Sequence, residues 1–521
     1  MAPVAGIFRQ PLVKIDYSLI GINSDAAIEK GLAEADWYQC PVPRAEMRKL
    51  LERRDGLAMW HTVLWFSLLG ITAYFTIRLW GSWWAVIPYM FYAVFYATVS
   101  DSRWHEAGHG TAFKTDWMNN VLYEIASFMI VRESTPWRWS HVRHHSDTIV
   151  VGRDPEIAVP RPTNILNVIR TFFCIGAYKA YFSTLIPHAF NRMTRVEATY
   201  IPREEWSKVY WKARIHLSIY LLSFALSIYF RSFLPILLIG APNLFGTWLT
   251  VTYGMTQHAG LAENVLDHRL NCRTVYMNPI HRYLYWNMNY HVEHHMYPLV
   301  PFHALPRLHQ LVKDDCPPPY TSIFNAWSEI IPTIVRQIRD PGYYVRRQLP
   351  EKRPSSAARP YTAIETQNDG WMKVCSADQL LPEDVIRFDH GRKTYALSRT
   401  ADGKLYATDG ICTHGNTHLA GGLVKDGIIE CPKHNGRFNL IDGSPARAPV
   451  CRAIATYLIE ERDGHLWVNV NNAGGAGARA SKEFPFASSL RATSPPSFAK
   501  LRWSPSTTLP SSTSLPAITC R

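Results

Sequence analysis

The chain begins without the charged start, apolar core and small-residue cleavage site of a secretory signal, so export by that route is not expected. Cysteine is scarce. Of nine among 521 residues, seven (Cys40, Cys174, Cys272, Cys316, Cys375, Cys451 and Cys520) show no paired spacing. That argues against a disulfide framework and suits reduced thiols in a protein facing the cytosol. No glycine-rich fingerprint for a flavin or a nicotinamide dinucleotide is apparent, so any electrons the chain uses must come from a separate protein. Lys and Arg outnumber Asp and Glu by 55 to 42, a net charge of +13. No basic–aromatic nucleic-acid module accompanies that excess, and nucleic acid is not an expected partner.

The apolar residues that are present concentrate between about 57 and 256, while the segment after 340 has the composition of soluble protein. Residues 57–80, 83–99, 215–230 and 232–255 read as four transmembrane spans in two hairpins, the third being short. Eighteen Trp and 26 Tyr suit membrane interfaces. Arg44, Arg48, Lys49, Arg53 and Arg54 precede the first span and place the N-terminus inside. Residues 164–187, interrupted by Arg170 and Lys179, read as an amphipathic helix in the interface, with a third hairpin or a buried core helix as alternatives. The expected architecture is an α-helical membrane domain of about four spans with a cytosolic histidine-rich cap, followed by a small all-β domain. Its parts are a cytosolic segment 1–56, the membrane domain 57–340, a charged Pro- and Ser-containing linker 341–368, the β-domain 369–471 and a tail 472–521. The tail turns abruptly Gly/Ala- and then Ser/Pro/Thr-rich, which reads as disorder or as a reading-frame error.

Two sets of metal-ligand residues stand out. Cys412 and His414 form C-x-H; after sixteen residues (415–430), Cys431 and His434 form C-x-x-H. Two thiolates and two imidazoles are the ligands of a Rieske [2Fe–2S] cluster. A zinc knuckle is the alternative, but the separation, the following Gly436 and Phe438 and the surrounding β-pattern favour the cluster. His418 lies off the motif and is expected at the surface. Upstream stand nine further histidines: His105 and His109; His141, His144 and His145; His258; and His291, His294 and His295. Spacings of three and four place each cluster on one face of a helix. With two hairpins, every cluster falls on the same side of the membrane. Nine converging imidazoles without metal would be costly to desolvate, so metal binding is expected. Imidazole suits several metals, but a neighbouring electron carrier is of use only to a redox-active one, which points to iron. HEAGH also matches the zinc-protease H-E-x-x-H, with Glu106 as general base. That reading leaves the other clusters without a task, and here Glu106 is expected to support a ligand imidazole.

HEAGH, HVRHH and HVEHH resemble the three histidine boxes of the integral-membrane fatty acid desaturase and alkane hydroxylase superfamily, over roughly residues 57–310. QHAGL at 257–261 resembles the segment that supplies one extra ligand there, which implies His258, with His268 a weaker candidate. WNMNYHVEHHMYP is similar to hydrocarbon oxygenases of the rhizopine-catabolism type, which use a separate Rieske ferredoxin. Residues 371–470 resemble such a ferredoxin, so the chain looks like a fusion of two normally separate proteins. Gly415 and Lys433 stand near where respiratory Rieske proteins carry an additional cysteine pair, which implies a lower potential suited to an oxygenase.

The resemblance implies that the nine histidines hold two non-haem irons. With O2 and electrons relayed through the chain's own cluster, these would hydroxylate or desaturate an unactivated C–H bond. It also implies an NAD(P)H-dependent ferredoxin reductase as partner. An acyl lipid, a free alkyl chain or an O- or N-methyl group are all compatible substrates. A soluble Rieske ring-hydroxylating oxygenase is a poorer match, because its domains run in the opposite order. A non-enzymatic membrane electron carrier would leave nine histidines without a role.

Overall fold

The computed structural model describes residues 15–33, 35–351, 360–415 and 417–477. The chain divides near residue 360 into two compact units. Residues 352–359 of the expected linker and the tail beyond 477 lie outside the described residues.

The first unit is helical. Short helices α1 (Ile22–Glu29) and α2 (Arg44–Leu50) lead into α3 (Asp55–Arg78), whose apolar run ends at Gly81 in a left-handed turn. After that turn α4 (Val86–Val94) continues through a π-helical segment, Phe95–Val99, directly into α5 (Ser100–His109). The apolar stretch and the HEAGH box therefore share one continuous helix. Next come α6 (Asp116–Met129), α7 (Ser134–Ser146) with HVRHH, then α8 (Ile165–Phe172) and α9 (Ile175–Ala189). The expected single amphipathic helix over 164–187 is thus two, broken at Cys174, whose φ is 55°.

Helix α10 (Trp206–Tyr229) starts well before residue 215, because its first turns dock on other helices: Lys212 pairs with Glu124 at 2.6 Å and Arg214 bonds the Ala189 carbonyl. A second π-helical segment, Ile236–Gly240, precedes α11 (Asn243–His258). Then follow α12 (His268–Asn271), α13 (Pro279–Tyr285), α14 (His291–Met296) with HVEHH, α15 (Leu305–Val312) and α16 (Ile323–Arg336).

Two helices among the described residues, Arg44–Arg78 and Ile236–His258, are long and apolar enough to cross a bilayer, against four expected spans. The second expected span has too short an apolar part before Asp101 and Arg103 intervene, and the third is short and belongs to a helix, α10, whose earlier turns carry Lys208, Lys212 and Arg214. All four segments nonetheless expose large apolar side chains, among them Trp60, Tyr74, Phe91, Leu221, Phe224 and Trp248. Trp83 at the first turn is 91% exposed.

Two devices lock α4 against α11. Tyr89, Tyr92 and Tyr96, on one face of the α4 helix, donate to the carbonyls of Leu237, Leu238 and Ile239 at 3.0, 2.5 and 3.0 Å. These are carbonyls of the π-segment, so polar groups in an apolar setting are satisfied side chain to backbone. Seven residues beyond Ile239, Gly246 lies so close to α4 that a Cβ would come within 1.8 Å of the Ala93 carbonyl oxygen. Only glycine permits that approach, which fixes the height of His258 at the end of α11.

The second unit is all-β. Strands β1 (Glu365–Thr366), β2 (Trp371–Ser376), β3 (Asp384–His390), β4 (Lys393–Arg399), β5 (Leu405–Asp409), β6 (Leu423–Lys425), β7 (Ile428–Glu430), β8 (Arg437–Asn439), β9 (Pro445–Arg447), β10 (Thr456–Arg462) and β11 (His465–Gly474) form two antiparallel sheets. One runs β1-β2-β11-β10-β5-β4-β3 and the other β6-β7-β8-β9. Strand β11 extends through Gly474, which pairs with Thr456, so the domain runs past the expected boundary at 471.

Candidate metal centre

Helical phase sorts the histidines. Within HVRHH, His141 and His145 are one turn apart on α7 and point together, while His144 is rotated away. HVEHH repeats this on α14, where His291 and His295 point together and His294 is rotated away. One ring nitrogen each from His105, His109, His141, His145 and His294 lies within 4.8 Å of the others, as does one each from His144, His258, His291 and His295. Each H-x-x-H-H box thus sends its i, i+4 pair to one group and its remaining histidine to the other. Helix α5 completes the first group and His258 the second. The groups adjoin, with the rings of His145 and His295 stacked at 4.3 Å.

The spacing within each group fits a metal ion. His105 and His294 bring their Nε2 atoms to 2.7 Å, His109 and His141 to 3.2 Å, His258 and His291 to 2.9 Å, and His291 and His295 to 3.0 Å. Two nitrogens each ~2.1 Å from one divalent ion and at right angles to each other would be ~3.0 Å apart. Burial, reinforced by the neighbouring rings, drives His105, His145, His291, His294 and His295 well below the usual imidazole range. The rings are therefore neutral, which is the ligating form. Neither ring nitrogen of buried His145 has a hydrogen-bond partner. A polar atom buried so costs free energy that a bound ion would offset.

Outer partners fix ring orientation. His144 Nδ1 lies 2.9 Å from Asp154, whose carboxylate also accepts from the Ile149 amide at 2.7 Å. Burial, the largest single influence on His144, would lower it, but the charge and hydrogen bond of Asp154 together with the charge of Glu156 outweigh burial and raise this ring. His141 Nδ1 lies 3.1 Å from Glu156, which also accepts from Ser140 Oγ at 2.8 Å. His258 Nδ1 donates to the Asn271 carbonyl at 2.8 Å. In each case Nδ1 is occupied and Nε2 is left for the metal. Asp154→Asn is expected to weaken metal retention at the second group by about 10–100-fold, measured as iron lost to a chelator over time, with the first group unaffected.

Sequence reasoning missed Asp154 and Glu156. Their only signal is an acidic D-P-E run shortly after HVRHH. It also misplaced Glu106. The carboxyl is buried and turned to other partners, accepting from Thr111 Oγ1 at 2.5 Å and the Phe302 amide at 3.1 Å, with no histidine among them. Burial pushes it up to about 7. A general base would have to face the histidine group, so this geometry speaks against the protease reading. His268 stays outside both large groups. It stacks on Trp37 at 4.2 Å and shares a smaller donor set with Cys272 and His295.

In the β-unit, Cys412 follows β5, and Cys431 opens the loop between β7 and β8. Both cysteines are buried in one core with Leu419, Val424, Ile429 and Phe438. Each loop is closed by a backbone bond, Cys412 N–H to the Thr417 carbonyl at 2.9 Å and Cys431 N–H to the Gly436 carbonyl at 2.8 Å. His418, expected at the surface, is half-buried. Its Nε2 lies 2.6 Å from Thr394 Oγ1, and its Nδ1 accepts from the Ala420 amide at 3.0 Å. Both ring nitrogens are engaged in holding the turn.

The model of the family described as fatty acid desaturase matches residues 81–327, and that of the Rieske [2Fe-2S] domain matches residues 370–458. Over the C-terminal region the chain is 35% identical to ferredoxin CarAc of Metapseudomonas resinovorans across 102 residues, 19% of this chain and 94% of that protein. It is 36% identical to the ferredoxin component of the naphthalene 1,2-dioxygenase system of Pseudomonas putida, covering 19% of this chain and 96% of that protein. The solved complex of reduced oxygenase and oxidized ferredoxin in carbazole 1,9a-dioxygenase aligns at 34% identity with a TM-score of 0.19, covering 21% of this chain and 97% of that chain.

Proposed function

Because a fatty acid desaturase family domain over residues 81–327 is followed by a Rieske [2Fe–2S] domain over 370–458, we propose that the chain is a membrane-bound diiron oxygenase with a built-in electron donor. It is an O2-using oxidoreductase, and its cofactors are iron in the histidine-rich site and in the Rieske domain. The finer reading is hydroxylation of an unactivated aliphatic C–H bond. The observation that carries the diiron oxygenase reading, common to hydroxylation and desaturation, is the sorting of nine histidines into adjoining groups of five and four.

In this reading His105, His109, His141, His145 and His294 hold one iron, and His144, His258, His291 and His295 hold the other. Cys412, His414, Cys431 and His434 hold the Rieske cluster. Bound there, the iron pair supplies the O2 reduction and C–H activation that no side chain can perform. The chain's own residues position and insulate it. Asp154 holds the proton on His144 Nδ1 and the Asn271 carbonyl holds that on His258 Nδ1, so the opposite nitrogens keep their lone pairs. Burial of eight of the nine rings keeps bulk water from the centre, with His258 partly open. The exposed apolar faces of α3, α4, α10 and α11 suit acyl chains, which supports an integral-membrane location with the histidine groups on the cytosolic side. A separate NAD(P)H-dependent ferredoxin reductase supplies the electrons.

Desaturation is the second reading, favoured by the description of the matching family. The two reactions share hydrogen removal and differ in whether oxygen or a second hydrogen follows. Oxygen uptake by the full chain with a ferredoxin reductase, NADH and a panel of lipids tests the proposal. Substrate-dependent uptake with a hydroxylated or unsaturated product is expected. Uptake indifferent to every substrate would favour a plain electron carrier.

A further inference from the structure

His268 is 2% exposed and belongs to neither large histidine group, so the assignment of iron ligands leaves it without a task. Two rings adjoin it. The indole of Trp37 lies flat on it, with centroids 4.2 Å apart and planes within 7°, and the His295 ring of the second group is 5.1 Å away at 43°. Trp37 is partly exposed. The three rings therefore form an aromatic path from the surface to the second group. Trp37 reaches the first group too. Its N–H donates to the Ser146 carbonyl at 2.9 Å, and Ser146 follows His145 in α7. His145 and His295 are the stacked pair at which the groups adjoin, so one surface ring leads to both.

The segment that carries this surface ring is pinned to the cap. Tyr38 N–H donates to the Leu266 carbonyl at 3.0 Å, its hydroxyl to Asp315 at 2.5 Å, and the Gln39 amide to the Met296 carbonyl at 2.9 Å. Electrons tunnel far faster through atoms in contact than across gaps, and a stack held in this way keeps its contact. Packing alone would be served as well by an apolar residue at 268, with no polar ring to desolvate. A second aromatic path exists among the described residues, from Trp137 through Trp104 to His141, with centroids 5.9 and 5.3 Å apart. It leads to the first group alone, and the Arg132 guanidinium covers Trp104 and Trp137 at 4.1 and 4.5 Å.

We propose that Trp37, stacked on His268, is the point at which the helical unit takes up electrons for the histidine-held iron. The inference rests on the oxygenase reading of that site. In each transfer a reduced [2Fe–2S] cluster loses one electron and one ferric ion among the histidines becomes ferrous, while no bond forms or breaks. Trp37 and His268 couple donor to acceptor by tunnelling and are not themselves oxidised. His268 thus serves the centre without ligating it.

The test is made on the full chain without O2. Its Rieske cluster is reduced by a flash-excited deazaflavin, and the rate at which the cluster passes that electron to the histidine-held iron is followed by absorbance. Trp37→Leu should slow this transfer by about an order of magnitude, with iron content unchanged. Trp37→Phe keeps a stacked ring and should retain most of the rate. His268→Leu breaks the path one ring further on, should slow the transfer as Trp37→Leu does, and serves if that variant does not fold. Trp137→Leu interrupts the rival path and should leave the rate as it was. An undiminished rate in both leucine variants of the stack would overturn the proposal, as would an equal loss in Trp137→Leu. Iron lost together with the rate in Trp37→Leu would make Trp37 a packing residue and overturn it as well. Wild-type protein without iron among its histidines would overturn the oxygenase reading itself, and this proposal with it, so the two failures stay distinguishable.

Discussion

Replacing His294 with alanine is expected to cut turnover by at least about a thousandfold, because it removes a ligand from a redox metal. His294 is the one member of HVEHH that crosses to the five-histidine group, where its Nε2 lies 2.7 Å from that of His105. Its loss opens the first group while leaving the i, i+4 pair His291 and His295 in the second. Iron at the histidine site should drop to one atom or fewer per chain, and the signal of the reduced Rieske cluster should persist. A variant with full iron and full turnover would show that His294 is an ordinary buried histidine.

Cys412→Ser is expected to do the reverse. The [2Fe–2S] signal should vanish, the histidine-bound iron should remain, and turnover should fall by about a hundredfold or more. The size follows from tethering, since a donor on the same chain acts at an effective concentration in roughly the millimolar range. A separate Rieske ferredoxin should restore activity only as its concentration nears that range. Full rescue at micromolar ferredoxin would mean that the fused domain contributes little. Undiminished activity without any added ferredoxin would mean that it is not the donor.

Much of the centre was legible because metal ligation imposes spacing. Box positions at i, i+3 and i+4 are visible in a string of letters, and so is the C-x-H, C-x-x-H pair. The allocation of each histidine to a group was not written there. It depends on the crossing of α5, α7, α11 and α14, which only tertiary structure sets. His258, proposed from likeness alone, falls among the four, and His268 falls outside. The carboxylates Asp154 and Glu156 were missed for a related reason. They reach their histidines across a loop with no fixed spacing, so nothing local marks them.

The errors have physical causes as well. Glu106 sits between two ligand positions, and adjacency suggested support for a ring; yet neighbours on a helix point about 100° apart, and its carboxyl faces Thr111 and Phe302. The expected spans were drawn from apolar runs alone. The continuous helix α4–α5 and helix α10 each join an apolar half to a polar half that carries or braces the histidine cap, so a run-based reading cuts a continuous helix at its most informative point. In the β-unit, short alternating runs marked β4, β5 and β11 correctly, but the end of β11 hides within a Gly/Ala-rich stretch that resembles tail.

Iron in both centres of one chain is the central requirement of the proposed oxygenase. Metal analysis of purified protein, combined with EPR after reduction, tests this most directly. About four irons per chain are predicted, two in each centre, together with a Rieske signal. Zinc in the histidine groups, with iron confined to the [2Fe–2S] cluster, would contradict it.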